Sequence, residues 1–270
     1  MRTSGDTGGQ KRQTDRGQTK FGPDNGGGSV GQLAVVGIGP GGIDHLTSQA
    51  ILRIAQADLV VGYETYLQLI KDLLVDKRVS SFRMTEEVER AKTAIEFAGQ
   101  GRRVAVVSGG DPGVYGMAGP ILELAAAEGM AVEVIPGVTA ATAAASRLGA
   151  PLMHDFAVIS LSDRLTPWEK IAKRIRLAAE ADLIIVFYNP RSQSRPGLIQ
   201  QARDILLAHR QPKTPVGIVG GAFRPDETVI ISDLEHFLGY RIDMSSTVIV
   251  GNSQTKVTGG RIITPRGYRL

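Results

Sequence analysis

The strongest constraint on the fold of this chain is a repeated alternation of short apolar, β-branched runs with helical patterns. In the first half the runs are LAVVG, ADLVVGY, RRVAVVS and AVEVI, and segments such as TSQAILRIAQ and EEVERAKTAIEFAGQ separate them. Strands that are apolar along their whole length are buried on both faces, and strands joined through helices run parallel. The pattern therefore predicts an α/β fold with a mostly parallel sheet covered on both faces.

A second series of apolar runs follows a Gly- and Pro-containing connection, GAPLMHD, and an Ala-rich helix predicted from Thr139 to Leu148. Its runs are FAVISLS, DLIIVFYNP, TPVGIVGG, ETVIISD, STVIVG and GRIITP, and the close spacing of the last ones predicts an antiparallel meander. We therefore predict two α/β domains, residues 32–152 and residues 153–270.

The first 31 residues have a different composition from the rest of the chain. They contain nine glycines and almost no large apolar side chains, so they lack the apolar surface that offsets the entropy of ordering. We predict a disordered tail over residues 1–31. Its five Lys and Arg against three Asp supply half of the net charge of +4, so the pI of about 9.4 is weak support for nucleic-acid binding.

Composition also excludes several classes of protein. The chain has no cysteine, which rules out disulfides, a thiolate nucleophile and a cysteine metal site. No apolar run approaches the roughly 18 residues needed to cross a bilayer, and the N-terminus lacks the apolar core of a signal peptide. We expect a cytoplasmic protein without a membrane partner. The single Trp168 is too little for an aromatic stacking platform, so we expect no nucleic-acid partner either.

The loop after the first run, GIGPGG, spells G-x-G-x-x-G with Gly37, Gly39 and Gly42. In a dinucleotide-binding turn these glycines open a helix directly. Here the helix is predicted to start later, at Thr47, and Pro40 removes a backbone donor from the loop. Hydride transfer is therefore disfavoured, and a tight turn without a ligand is the alternative for the isolated motif.

Four further strand ends carry glycine- or proline-rich loops, namely SGGDPGVYG, PGVTAATAAAS, FYNPRSQSRPG and VGGAFRPDE. In parallel α/β sheets, ligands bind beyond the carboxyl ends of the strands. Five such loops predict a lined cleft.

These motifs, in this order, resemble the tetrapyrrole (corrin and porphyrin) methylases. The resemblance covers residues 32–270 and rests on G-x-G-P-G after the first strand, G-G-D-P-x-x-Y after the fourth, P-G-x-T-A-A after the fifth, and F-Y-N-P. Within the family, SLSDRLTPWEKI, FYNPRSQSR and VGGAFRPDE are similar to the precorrin-3B C-17-methyltransferases of cobalamin synthesis.

The resemblance implies a fold of two α/β domains that bind S-adenosylmethionine in a cleft between them. It implies methylation of precorrin-3B, or of its cobalt analogue, at C-17, with contraction of the ring to give precorrin-4. The substrate would be an acidic tetrapyrrole, and a homodimer is expected. Methyl transfer from a sulfonium to an electron-rich carbon depends mainly on positioning and exclusion of water.

The resemblance also implies a set of cofactor contacts, carried over motif by motif: Pro40, Gly109, Asp111, Val114, Thr139, Ala140, Asn189 and Ala222. An aspartate such as Asp111 accepts hydrogen bonds from an ammonium or hydroxyl group, although Asp-Pro-Gly is also an ordinary turn. Thr139 also fits the N-cap of the Ala-rich helix. Ala222 stands where relatives often have glycine.

Ring contraction moves protons and needs acid and base groups. Our candidates are Glu64, Arg83, Ser162 and Asp163. The cations for the substrate's carboxylates are taken from arginines in or beside the loops: Arg147, Arg164, Arg191, Arg195 and Arg224. The four histidines are scattered without metal-ligand spacing, so no metal is predicted.

The sequence leaves alternatives open. One is another methylase of the same fold, acting at a different corrin position, on diphthamide precursors as in diphthine synthase, or on rRNA. Another is a non-catalytic protein that binds S-adenosylmethionine and leaves every acceptor unchanged.

Overall fold

The computed structural model of the protein describes residues 31–191 and 196–269. The disordered tail predicted for residues 1–31 lies outside the described residues, except for its last residue, and so does Arg195. Within the described ranges, no helix has the length and apolar character to cross a bilayer.

The first sheet has five parallel strands in the order β3-β2-β4-β1-β5. They are β1 (Gln32–Gly37), β2 (Leu59–Tyr63), β3 (Arg78–Phe82), β4 (Arg103–Ser108) and β5 (Val132–Ile135). The connecting helices are α1 (Ser48–Gln56), α2 (Glu64–Leu69), α3 (Glu87–Gly99) and α4 (Ala118–Ala127). One apolar core lies under α1 and α2 and the other under α3 and α4, so both faces are covered as predicted.

Helix α1 begins where the sequence predicts. The hydroxyl of Thr47 accepts a hydrogen bond from the Ala50 N–H at 3.1 Å, which satisfies one free donor of the first turn. Only a short 3-10 turn, Ile43–His45, lies between the glycine loop and this cap. The glycine loop therefore does not open a helix directly, unlike the loop of a dinucleotide-binding fold.

The second sheet is mixed and has the order β10-β9-β11-β8-β7. Its strands are β7 (Phe156–Ser160), β8 (Ile184–Tyr188), β9 (Pro215–Gly220), β10 (Thr228–Asp233) and β11 (Ser246–Val250), and only β7 and β8 run parallel. Helices α6 (Trp168–Glu180) and α7 (Leu198–Leu207) cover one face, and α5 (Ala140–Leu148) covers the other.

The predicted meander is wrong in strand order, although its antiparallel pairing is right. Strand β11 pairs with β9 and β8 and has no pairing with β10. All five of its residues are buried, which requires a central position in the sheet. The long connection after β10 carries the chain there and buries Leu234, Phe237 and Ile242 on the way.

A small third sheet joins distant parts of the chain. Strands β12 (Lys256–Thr258) and β13 (Arg261–Ile263) form a hairpin, and β13 pairs in parallel with β6 (Gly149–Ala150). Helix α5 packs on the second sheet, where Ala144 and Leu148 share a core with Ile184 and Val219. The predicted division at residues 152 and 153 stays a prediction, and by its packing α5 belongs with the second sheet.

Candidate active site

The loops that follow β1, β4 and β5 pack against one another through their backbones. The Gly39 N–H donates to the Gly110 carbonyl at 3.0 Å. A Cβ on Gly37 would lie 2.6 Å from the Gly137 nitrogen, and one on Gly39 would collide with the Val138 carbonyl. Gly37 and Gly39 are therefore needed for contact between the loops, because a side chain at either position would separate them.

Asp111 ties two of these loops together. Its Oδ1 accepts from the Gly113 N–H at 2.8 Å, and its Oδ2 accepts from the Gly137 N–H at 3.1 Å. The Val114 N–H closes the same turn by donating to the Asp111 carbonyl at 3.2 Å. Both carboxylate oxygens of Asp111 therefore accept hydrogen bonds from backbone N–H groups. A hydrogen bond to an ionised acceptor is stronger than one between two neutral groups.

The loop after β9 reaches the glycine loop from the second sheet. Arg224 Nε donates to the Pro40 carbonyl at 3.2 Å, across 184 residues of chain. The same loop is held by Glu227, which accepts from the Phe223 N–H at 2.6 Å and forms an ion pair with Arg147 at 2.7 Å. Burial alone would raise the pKa of Glu227, but these hydrogen bonds outweigh it and the pKa lies below its usual value.

A crevice with a volume of about 50 Å³ opens where these loops meet. Its walls are formed by Pro40, Gly110, Val138, Ala140, Ala143, Val219, Gly221, Ala222, Arg224, Ser245 and Thr247. Most of these side chains are small, so a ligand can approach the backbone, and hydroxyls and one guanidinium supply polar contacts. This volume is smaller than that of a usual ligand pocket, which is about 300 Å³ or more. A nucleoside-sized ligand would therefore extend beyond the crevice along the surface between the loops.

The N-terminus of α5, which follows β5 of the first sheet, is capped by a side chain at the end of β8 in the second sheet. Thr139 occupies the N-cap position, but its side chain makes no capping hydrogen bond, which corrects the role considered for it from sequence. The Tyr188 hydroxyl accepts from the Ala141 N–H at 2.7 Å and lies 2.6 Å from Thr139 Oγ1. Burial raises the pKa of Tyr188, so the hydroxyl stays neutral.

A second contact between the two sheets surrounds Ser160. The Tyr115 hydroxyl, from the loop after β4, donates to the Val158 carbonyl at 3.1 Å and accepts from the Ser160 N–H at 3.3 Å. Ser160 Oγ accepts from Asn189 Nδ2 at 3.0 Å and from the Ser162 N–H at 3.2 Å. Two residues proposed separately from sequence, Asn189 and Ser162, therefore share one partner.

The structure distributes the eight predicted cofactor residues unevenly. Pro40, Ala140 and Ala222 line the crevice. Thr139 and Asp111 border it through their contacts with Tyr188 and with the loop after β5. The other three residues do not line the crevice. Gly109 lies against the Tyr66 ring, Val114 closes the turn that begins at Asp111, and Asn189 donates to Ser160.

The four predicted acid and base residues are not brought together. Glu64 is exposed in the first turn of α2. Arg83 is exposed and directly follows the edge strand β3. Strand β3 is three strand spacings from β1 in the sheet, which corresponds to roughly 14 Å. Its backbone N–H donates to Glu86 Oε2 at 2.7 Å. Ser162 and Asp163 are half-buried in the loop after β7 and are the pair nearest to the contact between the sheets.

Among the predicted substrate cations that fall within residues 31–191 and 196–269, only Arg224 lines the crevice. Arg147 is paired with Glu227 and lies 5.0 Å from the centre of the Phe223 ring, so its charge is balanced within the protein. Arg164 and Arg191 are exposed.

Five crevice residues lie in the predicted cleft loops but were not singled out as contacts: Gly110, Val138, Ala143, Val219 and Gly221. Sequence reasoning missed Ser245 and Thr247 altogether. Ser245 directly precedes the buried strand β11, and Thr247 lies within it. This part of the sequence contains no recognisable motif, so nothing local indicates that these residues line a crevice. Tyr188 could have been found, because it precedes Asn189 within the FYNP motif.

Asp233, Glu235 and His236 place ligand atoms within 4.8 Å of one another, a grouping that the sequence spacing did not suggest. The Lys213 ammonium lies 3.2 Å from Asp233 and 3.5 Å from Glu235. This cation balances the carboxylates, so we assign no metal to them.

Two α/β sheets whose strand-end loops meet over one crevice define a class of protein that binds a small ligand between them. The chain belongs to the tetrapyrrole (corrin/porphyrin) methylases, whose family pattern matches residues 32–238. The family and the fold predicted from sequence are thereby confirmed.

Several relatives carry functional names. The chain is 48% identical over 245 residues to the "Cobalt-factor III methyltransferase" of Priestia megaterium, with 88% of this chain and 45% of that protein covered. It is 51% identical over 240 residues to the "Probable cobalt-factor III C(17)-methyltransferase" of Salmonella typhimurium, with 88% and 100% covered. The chain therefore spans less than half of the first relative and all of the second.

Solved structures share the fold. The methyltransferase CobJ superposes with a TM-score of 0.82 at 37% identity, covering 87% of this chain and all of that one. Uroporphyrin-III C-methyl transferase from Thermus thermophilus, complexed with S-adenyl homocysteine, gives 0.65 at 25% identity, with 82% and 97% covered.

Proposed function

We propose that the chain is an S-adenosylmethionine-dependent methyltransferase of cobalamin biosynthesis that methylates C-17 of cobalt-factor III, with contraction of the macrocycle. The observation that carries this proposal is the 51% identity to the Salmonella relative over that protein's whole length. The convergence of loops from both sheets on one crevice supports it.

The names of the Priestia and Salmonella relatives, both of which refer to cobalt-factor III, favour the cobalt-containing substrate over metal-free precorrin-3B. Arg224 is the described cation best placed for a substrate carboxylate, since Arg147 is already paired. A homodimer and a cytoplasmic location stay predictions.

S-adenosylmethionine is the proposed methyl donor, and the Thermus relative's complex with S-adenyl homocysteine supports it. When bound, it supplies a methyl group activated on a sulfonium. Pro40, Ala140 and Ala222 are proposed to contact it in the crevice. The other proposed contacts surround them and hold the loops in place: Gly109, Asp111, Val114, Thr139 and Asn189.

The chain's own residues act chiefly by positioning. Small crevice residues allow close approach, and the packed loops fix the walls between which the cofactor and the substrate would be held. For proton movement during ring contraction we retain Ser162, Asp163, Glu64 and Arg83. The first two have the better position, because the Ser162 N–H donates to Ser160, the residue at which Tyr115 of the first sheet and Asn189 of the second sheet meet.

The test is methyl transfer from methyl-labelled S-adenosylmethionine, with cobalt-factor III, metal-free precorrin-3B and rRNA as separate acceptors. Mass spectrometry should show one added methyl group on cobalt-factor III, and carbon NMR should place the label at C-17. Transfer to another position, or to rRNA alone, would select another methylase of this fold. Binding of S-adenosylhomocysteine with no acceptor modified would indicate a non-catalytic binder.

A further inference from the structure

Tyr66, which belongs to no motif used above, lies against the predicted cofactor loop. A Cβ built on Gly109 would lie 2.5 Å from Tyr66 Cζ and 2.8 Å from its hydroxyl oxygen. Gly109 directly follows β4, and the next residue, Gly110, forms part of the crevice wall. The absence of a side chain at position 109 thus lets the phenol lie over the end of β4, beside the crevice.

The Tyr66 side chain is half-buried, and its hydroxyl makes no hydrogen bond to the described part of the chain. The hydroxyl is not among the fully buried atoms without a partner, so it reaches solvent. Its ring is held edge-on by Tyr63, with 5.2 Å between the ring centres. Burial raises the pKa of Tyr66, so the hydroxyl keeps its proton. A fixed, protonated phenol without a partner is a hydrogen-bond donor available to a ligand.

Arg224 lies beside helix α2, because a Cβ on Gly41 would be 2.9 Å from Arg224 Nε and 3.3 Å from Leu69 Cδ1. The charges of Arg224 and Arg90 favour ionisation of the Tyr66 phenol, and the Glu87 carboxylate opposes it. Arg224 uses Nε on the Pro40 carbonyl, and within the described ranges its terminal nitrogens make no hydrogen bond. Arg90 is only 3% exposed and donates to the Arg83 carbonyl and to Met117 Sδ. It has no ion pair within the described ranges, and its Nε is buried without a partner.

A buried, unpaired cation is costly, and an anion brought by a ligand would offset part of that cost. Arg90 is buried near the phenol, and Arg224 lines the crevice. The neighbouring carboxylate of Glu87 is exposed, so water and salt screen its charge more strongly than that of Arg90. Together with a neutral hydroxyl donor, this environment favours a carboxylate over a neutral or cationic group.

We propose that Tyr66 and Arg224 bind one carboxylate side chain of the tetrapyrrole substrate, and that this contact sets how the macrocycle lies over the crevice. The Tyr66 hydroxyl donates to one carboxylate oxygen, and the terminal nitrogens of Arg224 donate to the other. Arg90 is buried and adds positive electrostatic potential at this subsite without contacting the substrate. This inference rests on the proposed function, because it assigns a subsite to the same substrate.

The test is Tyr66→Phe, which removes the donor and keeps the ring on Gly109. We expect KM for cobalt-factor III to rise about tenfold, the loss typical of one hydrogen bond to a charged group, with kcat within about twofold. The Kd for S-adenosylhomocysteine and the melting temperature should stay at the wild-type values. Tyr63→Phe is the matched control and should leave all four quantities unchanged.

Arg224→Gln provides a second variant for the same carboxylate. In the double variant with Tyr66→Phe, KM should rise by less than the product of the two single effects, because both donors serve one group. A wild-type KM in Tyr66→Phe would overturn the proposal. A loss of kcat with unchanged KM would also overturn it, since the hydroxyl would then act on the reacting atoms.

Absorbance titration with cobalt-factor III measures binding without methyl transfer and separates this inference from the proposed function. Wild-type protein that binds the tetrapyrrole tightly without methylating it contradicts the proposed activity. If Tyr66→Phe binds about tenfold more weakly even then, the subsite is supported. Equal Kd values for wild type and Tyr66→Phe contradict the subsite alone.

Discussion

The carboxylate of Asp111 accepts a hydrogen bond from the Gly137 N–H, 3.1 Å away, and so joins the loop after β4 to the loop after β5. Its other oxygen accepts from the Gly113 N–H at 2.8 Å within the turn itself. One side chain thereby fixes the relative position of two walls of the crevice. The backbones of these glycine-rich loops also pack directly against one another, and the carboxylate adds the side-chain hydrogen bonds that the glycines cannot supply.

Asp111→Ala should lower the free energy of unfolding by about 2–3 kcal/mol, because two backbone donors lose an ionised acceptor. Urea unfolding measures the change. Asp111→Asn keeps one acceptor oxygen and should lose about half as much. Calorimetry with S-adenosylhomocysteine on the folded variant separates loop support from direct contact. Unchanged stability with a much weaker Kd would show that Asp111 mainly contacts the cofactor.

Gly39→Ala and Gly42→Ala should differ sharply, although both glycines belong to the G-x-G-x-x-G sequence. A Cβ on Gly39 would collide with the Val138 carbonyl, whereas a Cβ on Gly42 would lie 3.5 Å from its nearest neighbour, His45 Nδ1. We expect Gly39→Ala to cost roughly 3 kcal/mol of stability and Gly42→Ala less than about 0.5 kcal/mol. Thermal unfolding tests this, and equal losses would contradict loop packing as the role of Gly39.

Tyr188→Phe should destabilise the protein by about 1–2 kcal/mol, because the Ala141 N–H loses its cap and the Thr139 hydroxyl loses its partner. Tyr115→Phe removes a hydroxyl that also bridges the sheets, but Tyr115 is 60% exposed and water can replace the contact. Its effect should stay below about 0.5 kcal/mol. Chemical unfolding of the two variants side by side measures the difference, and a larger loss in Tyr115→Phe would reverse this interpretation.

Acid should weaken the link between Asp58 and Arg103, which lie at the starts of β2 and β4. The side-chain hydrogen bond from Arg103, with its backbone N–H, lowers the pKa of Asp58 to about 2. In the unfolded chain the value is about 3.9, so the stabilisation is present above that pH and is lost as the pH falls toward 2.

Because the pair is partly exposed, its contribution at pH 7 should be only about 1 kcal/mol. Asp58→Asn should therefore be less stable than wild type by that amount at pH 7, and the difference should shrink below about pH 4. Urea unfolding at several pH values provides the test, with Arg103→Gln as the reciprocal variant. A stability difference that is constant from pH 7 to pH 2.5 would exclude this ion pair as its source.

The order of the elements and several of their ends could be predicted from the sequence alone. The start of α1 after Thr47 and the span of α5 followed from capping and periodicity, which are properties of neighbouring residues. The antiparallel pairing near the end was also predicted, but the position of β11 between β9 and β8 was not. Strand order depends on pairing between distant segments, and close spacing along the chain does not determine it.

The sequence by itself determined the alternating α/β pattern, the five strand-end loops and the family resemblance that their motifs carry. Only the tertiary structure decided how the polar groups of those loops are used. Asp111 meets Gly137 across 26 residues, Tyr188 meets Ala141 across 47, and Arg147 meets Glu227 across 80. Such contacts depend on where the fold brings separate loops together. A local sequence pattern shows which residue types are present, but it does not show which distant residue each of them contacts. Tyr66 is the clearest case, because only the packing of α2 on the end of β4 places its hydroxyl beside the crevice.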